Sequence, residues 1–431
     1  MRASILALIV SLLALYAISA QAEELYLPYQ GEEITVETYP NAASPWRFIW
    51  LYSQYDQLMN WERPMLPKIQ QAGVEVWATD ILGSLFMTRT SGSVRRMDGE
   101  TVATVLQAAH EASEQDGKGI VLLASDRMAG LALKGIRAWQ AANLGEASHF
   151  KGSILLFPNL YASTPLAGEA PNWESVVSAT QAPVMILQPE QGVHRWYMPL
   201  LADALSQQDA AVYTWILPGV KDYFFNPFGK ERTEIEQQIT ERLPQIFKLS
   251  AQRLTAHASE QNPTELAALQ QEAEVKSTDR HGLPKLHQFD QPKQAPGLVG
   301  STFDGEMMDL ADWRGKVVLV NFWATWCPPC VTEIPSMNRL LAKYREQGLE
   351  IFSVDFQQSA EEIAKFTQRV PVDYPIVLDQ DGRISKDWGV FSFPTTFVVD
   401  RQGKVRYSLN QGVEWDIPEL EAPILDLLNE H

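Results

Sequence analysis

The sequence predicts an α/β protein of two successive units, a larger parallel-sheet domain followed by a smaller one. From residue 45 to 248, short apolar runs alternate with longer amphipathic stretches. That alternation places buried parallel strands between helices. The pattern fades between residues 250 and 294, where Gln, Glu, Ala and Lys dominate ahead of Pro284, Pro292 and Pro296. It resumes near Leu298 and ends in two strands joined by Arg401-Gln402-Gly403, a Gly-bearing hairpin connection. A chain of 431 residues exceeds the size of one ordinary domain, which agrees with this division.

In the first unit the apolar runs predict strands at 47–52, 74–79, 119–123, 154–157, 184–188 and 211–217. Helical spacing predicts helices at 64–72, 101–115, 128–142, 198–207 and 231–248. Residues 250–294 read as a linker, its first half helical in composition and its second half extended. In the second unit, strands are expected at 317–323, 350–355, 375–378, 395–400 and 404–409. Helices are expected at 333–347, 361–369 and 419–428.

Arg2, the apolar run from Ile5 to Ile18 and the small-x-small Ala20-Gln21-Ala22 have the layout of a secretory signal cleaved after Ala22. The run falls short of the roughly 20 apolar residues that span a bilayer, so no stable membrane anchor is expected. The expected organisation is a signal at 1–22, domains at 23–249 and 295–431, and a periplasmic location. A formal net charge of -18 opposes a nucleic-acid partner, which would need clustered Lys and Arg against phosphate. It serves solubility instead.

Cys327 and Cys330 are the only cysteines, three apart, after an apolar run and at the start of a helical stretch. That context favours a redox dithiol over the rival uses of Cys-x-x-Cys. A zinc site needs two further ligands of suitable spacing, and none lies near. Haem attachment needs His after Cys330, and position 331 is Val. At a helix start, unpaired backbone N–H groups and the helix dipole favour a thiolate at Cys327, the more exposed sulfur. Cys327 would attack a substrate disulfide and Cys330 would resolve the mixed disulfide. Pro328-Pro329 places no positive charge between the sulfurs, which favours a reductant. No metal and no cofactor beyond this redox-active pair are expected.

Residues 315–330, Gly-Lys-Val-Val-Leu-Val-Asn-Phe-Trp-Ala-Thr-Trp-Cys-Pro-Pro-Cys, resemble the TlpA/ResA-like thioredoxins. Glu333, Pro335, Gly389-Val390, Phe393-Pro394-Thr395-Thr396-Phe397 and Asp400-Arg401-Gln402-Gly403 match the same family. The resemblance covers roughly 295–431 and implies a thioredoxin fold. It also implies extracytoplasmic dithiol reduction, as in cytochrome c maturation or the protection of particular protein thiols. The implied partners are protein thiols or disulfides and a membrane or periplasmic electron donor. Pro394 would be a cis-proline facing the dithiol, with Trp326, Phe393 and Thr395 around the substrate chain. Glu333 would carry a carboxylate near the dithiol; equally, it could be a first-turn Glu that complements the helix dipole. Asn321 departs from the Asp that ordinary thioredoxins bury behind their cysteines, which leaves Glu333 or water to handle the Cys330 proton.

Residues 45–248 resemble the α/β-hydrolase fold, with a degraded site. The nucleophile of that fold sits in a tight strand-to-helix turn of small-x-nucleophile-x-small pattern. Ser125-Asp126-Arg127-Met128-Ala129 puts Arg127 at that place and Ser125 two residues early. Glu190 falls where the acid is expected, Asp222 takes the position of the His, and no His occurs from Arg195 to Arg253. Without an imidazole the serine has no proton shuttle. The expectation is a catalytically silent docking module in which Arg127, Glu190 and Asp222 form either a charged cluster or a structural salt bridge. Two alternatives remain: an esterase using Ser125 with an accessory redox domain, and a binding protein whose dithiol senses redox state.

Overall fold

The computed structural model describes residues 22–89, 91–143, 149–162, 171–225, 232–258, 265–269 and 284–430. Residues 1–21 of the expected signal lie outside the described residues. The chain forms two compact units. One comprises Met1–Leu160, Glu174–Gly192 and Tyr197–Gln271; the other comprises Tyr161–Trp173, Val193–Trp196 and Glu272–His431.

The first unit carries an eight-stranded sheet in the order β1-β2-β4-β3-β5-β6-β7-β8. Its strands are β1 (Glu23–Tyr29), β2 (Glu32–Tyr39), β3 (Trp46–Leu51), β4 (Glu75–Thr79), β5 (Gly119–Ser125), β6 (Phe150–Leu156), β7 (Val184–Pro189) and β8 (Val212–Leu217). Strands β3 to β8 pair in parallel. Every residue of β3, β4, β5 and β7 is buried, which is why these strands read as continuous apolar runs. Three long helices belong to this unit: α1 (Glu100–Asp116), α2 (Met128–Ala142) and α3 (Glu234–Ala258). Glycines with positive φ bracket α1, Gly99 at +97° and Gly117 at +73°. At Gly99 a Cβ would lie 2.5 Å from the backbone of Lys134 and Gly135, so no larger residue fits.

Two departures from the expected elements have physical causes. The hairpin β1–β2 joins the sheet by antiparallel pairing of β2 with β4. Its alternating polar residues bury only Leu27, Ile34 and Val36, too few to register as an apolar run. Helix α3, expected to stop at 248, continues to Ala258 because Ala251 and Leu254 extend its buried stripe against the sheet core.

The second unit has a six-stranded sheet in the order β14-β13-β12-β15-β16-β9 and a small hairpin, β10–β11. Its strands are β9 (His287–Gln294), β10 (Val299–Ser301), β11 (Met307–Asp309), β12 (Val317–Trp323), β13 (Leu349–Phe356), β14 (Ile376–Asp379), β15 (Thr395–Val399) and β16 (Lys404–Leu409). Helices α4 (Pro328–Tyr344), α5 (Ala360–Thr367) and α6 (Pro418–Asn429) accompany them. β12 is the central strand, parallel to β13 and antiparallel to β15. It is buried on both faces: Val317 and Leu319 meet Met337 and Leu340 of α4, while Val318, Val320 and Phe322 pack with Trp388 and Phe397. The segment expected as the extended end of a linker is in fact the edge strand β9, antiparallel to β16. Its side chains are mostly exposed, so backbone pairing rather than apolar patterning holds it. Pro292 sits within the stretch where that register is irregular, a place where its missing N–H is tolerated.

Candidate functional site

β12 delivers the chain to Cys327, the N-cap of α4, with extended backbone at φ -97°, ψ 102°. Pro328 at the first helical position needs no donor there, so α4 begins at the cysteines, as their context led to expect, and runs on through the helical stretch from 333. An amide clip steadies the turn before the helix. Gln358 accepts from Thr325 N–H at 2.7 Å through Oε1, and donates to Thr325 Oγ1 at 2.8 Å through Nε2. Cys327 and Cys330 are joined in a disulfide with Cα atoms 5.3 Å apart. Cys327 is 6% exposed and Cys330 1%, so Cys327 is the more exposed of the pair.

The loop before β15 supplies the other wall. The Phe393–Pro394 peptide bond is cis. The Phe393 ring stands edge-on to Trp326 at 5.9 Å and packs against Phe356 at 4.9 Å. Trp326 and Phe393 are both partly exposed, whereas Pro394 is buried. The Thr395 side chain does not face a substrate: it is fully buried, and its hydroxyl donates to Ser392 O at 2.7 Å.

Glu333 resolves between its two expected roles. It is 1% exposed, on the inner side of α4, one turn beyond Cys330. A dipole-complementing Glu would point to solvent; this one does not. Asn321 Nδ2 donates to its Oε1 at 2.9 Å, and Trp415 Nε1 donates to its Oε2 at 3.1 Å. Burial pushes the carboxyl up to about 7, against the opposing pull of the bonds from Trp415 and Asn321. Asn321 is itself held by Thr396, since its Nδ2 also donates to Thr396 Oγ1 at 2.9 Å. The residue that departs from ordinary thioredoxins thus serves as a donor to the buried acid. Sequence reasoning missed Trp415, which is fully buried although its segment is polar. A lone Trp in such a segment was the available signal.

In the first unit Arg127, Glu190 and Asp222 are engaged by different groups. The strained turn after β5 is occupied by Asp126, at φ +48°, and not by Arg127. Arg127 is the N-cap of α2, and among the described residues it makes no ion pair with Glu190 or Asp222. Glu190 accepts from Gly219 N–H at 2.9 Å, which ties the ends of β7 and β8. Asp222 accepts from Gln188 Nε2 at 3.3 Å. Ser125 donates to Glu62 at 3.3 Å, so its partner is a buried acid and not an imidazole. Glu62 also accepts from Ser53 N–H at 2.9 Å, and burial pushes its carboxyl up to about 7.

Fold and site together define a thioredoxin-fold protein with a Cys-x-x-Cys pair at a helix N-terminus. The AhpC/TSA family model matches residues 292–408. Thiol-disulfide oxidoreductase ResA of Bacillus thuringiensis subsp. konkukian is 40% identical over 113 residues, 26% of this chain and 65% of that protein. The chain therefore spans under two thirds of the ResA relative. Thioredoxin-like protein YneN of Bacillus subtilis is 38% identical over 117 residues, covering 26% of this chain and 68% of YneN. A putative thiol:disulfide interchange protein DsbE from Chlorobium tepidum is 33% identical, covers 32% of this chain and 99% of that chain, and has a TM-score of 0.31. Through its C-terminal unit the chain belongs to the thioredoxin-like family of YneN, and its ResA relatives carry the name thiol-disulfide oxidoreductase. Among the described residues no helix is long and apolar enough to cross a membrane.

Proposed function

We propose that the chain is an exported thiol-disulfide oxidoreductase that reduces disulfides in partner proteins through Cys327 and Cys330. The observation that carries this reading is the placement of Cys327 as the N-cap of α4, with Cys330 buried one turn behind it. In the reduced form the open N-terminus of α4 stabilises an anion at Cys327. That thiolate attacks a substrate disulfide, forms a mixed disulfide and expels one substrate thiolate. Cys330 then gives up its proton, attacks Cys327 Sγ and releases the second substrate thiolate. Two electrons pass from the dithiol to the substrate, and the pair ends as the disulfide seen here. No cofactor enters the cycle; a periplasmic or membrane donor would restore the dithiol. Glu333, with its carboxyl near 7, is suited to accept the Cys330 proton at neutral pH. Trp326, Phe393 and the backbone around Pro394 offer the surface on which an extended substrate segment lies.

The export signal at 1–22 and the ResA relatives support a periplasmic setting and protein disulfides as substrates. The N-terminal unit is read as an α/β-hydrolase-like domain without hydrolytic function. Its parallel strands β3 to β8 and the strained turn between β5 and α2 support the likeness, and the lack of an imidazole at Ser125 supports the silence. Reduction of insulin by dithiothreitol-recharged protein should be catalysed by the wild type and abolished in Cys327→Ala. Unchanged turnover in that variant would refute the role. A reduction potential near about -270 mV would mark a reductant, and one near about -120 mV an oxidant.

A further inference from the structure

The carboxyl ends of β5 and β7 hold a group of polar side chains that dithiol chemistry does not use. Asp126, 4% exposed, occupies the left-handed region directly after β5, which Asp tolerates better than most residues with a side chain. Gln54, fully buried, donates from Nε2 to Asp126 Oδ2 at 2.6 Å. Gln188, also fully buried, donates from Nε2 to Asp222 Oδ1 at 3.3 Å. Tyr223, a second residue with positive φ at +60°, lies near Asp126: burial, and then the charge of that carboxylate, push its hydroxyl well above the usual tyrosine range. Burial, and then the charge of Asp126, push the Asp222 carboxyl up to about 7.

The amide oxygens complete the picture. Gln54 Oε1 and Gln188 Oε1 are both buried with no hydrogen-bond partner. Flipping Gln54 would set its oxygen against an Asp126 carboxylate oxygen, and flipping Gln188 would set its oxygen against Pro189 O, to which its Nε2 also donates at 3.3 Å. These partners fix the amides in this sense, and both free acceptors remain. Buried acceptors without donors destabilise a fold, and so does backbone strain. Their combination at one place suits a bound group that brings donors. The group consists of two carboxylates and two unpaired amide oxygens, and the neighbouring Arg127 does not neutralise either acid. Its complement is a cation rich in N–H donors. A hard metal ion is the weaker fit, since among the described residues no three His, Cys, Asp or Glu gather as ligands. Asp222 and Tyr223 are partly exposed, so that edge of the group meets solvent, while Asp126, Gln54 and Gln188 are buried.

We propose that the N-terminal unit binds the primary ammonium group of an organic amine between Asp126 and Asp222, with Gln54 Oε1 and Gln188 Oε1 accepting its N–H bonds. The full-length protein is titrated calorimetrically with n-butylammonium chloride, tetramethylammonium chloride and calcium chloride, on the wild type and on Asp222→Asn and Gln188→Leu. Saturable binding of n-butylammonium at one site per chain is expected, weakened at least tenfold in each variant. Tetramethylammonium carries the charge without the donors and should bind at least tenfold more weakly. Insulin reduction should be unchanged in both variants, and Asp222→Asn should melt no lower than the wild type because a buried acid has been removed. No saturable ammonium binding to tens of millimolar, equal binding of the quaternary ion, or saturation by calcium instead would each overturn the assignment. Should Asp222→Asn fail to fold, unaltered ammonium affinity in Gln188→Leu would overturn it alone.

Discussion

Glu333→Gln tests the buried acid one turn beyond Cys330. The carboxyl sits at about 7 in the folded protein, against 4.5 for the free group. Raising an acid this way favours its protonated form, so the associated stability is complete below pH 4.5 and is lost as pH climbs through 7. The difference corresponds to about 3 kcal/mol between pH 4.5 and pH 8. Glutamine is neutral throughout and removes that pH dependence. It also supplies one acceptor where Glu333 supplied two, so either Asn321 Nδ2 or Trp415 Nε1 loses a bond, at a cost of about 1–3 kcal/mol. The variant should therefore be less stable than wild type at pH 4.5 and equal or more stable at pH 8. Denaturant unfolding of the oxidised protein at both pH values, read as variant minus wild type, cancels the other raised acids, Glu62, Asp222 and Asp379. The same substitution should slow resolution of the mixed disulfide on the order of 100-fold, the contribution of a positioned general base. A stability difference that is the same at both pH values would refute the reasoning.

Trp415→Phe keeps the packing but removes the donor to Glu333 Oε2, one of the contacts that holds the carboxyl down. The pH–rate profile of insulin reduction should move upward by about one unit, worth about 1.4 kcal/mol; an unmoved profile would detach Trp415 from the acid. Arg47→Met strips a buried network in which Arg47 reaches Glu75 at 2.6 Å, Asp116 at 2.7 Å and Ser113 at 2.8 Å. Glu75 is then left with Lys118 alone among its ionic partners. A loss of about 3–5 kcal/mol is expected in the unfolding of the first unit, and a change within about 1 kcal/mol would show the network to be dispensable.

Much of both sheets was legible. Strands β3 to β7 and β12 to β15 are buried along their length or nearly so, and continuous burial writes itself into sequence as unbroken apolar runs. The hairpin β1–β2 and the edge strand β9 were missed because backbone pairing, which any residue can supply, holds them there. Arg127 was placed at the strained turn by counting along a degraded motif. The turn is set by where β5 ends, and that brings Asp126 to it.

From the residues alone came the two-unit α/β plan and the dithiol at a helix start. Both follow from patterns spanning a few neighbouring positions: apolar runs of strand length, and cysteines three apart after such a run. The pairing of Glu333 with Asn321 and Trp415, 12 and 82 positions away, came only from the folded chain. So did the meeting of Gln54 with Asp126 across 72 positions. Distance along the chain hides such contacts, because their chemistry depends on which groups are buried together and what water is no longer there to satisfy.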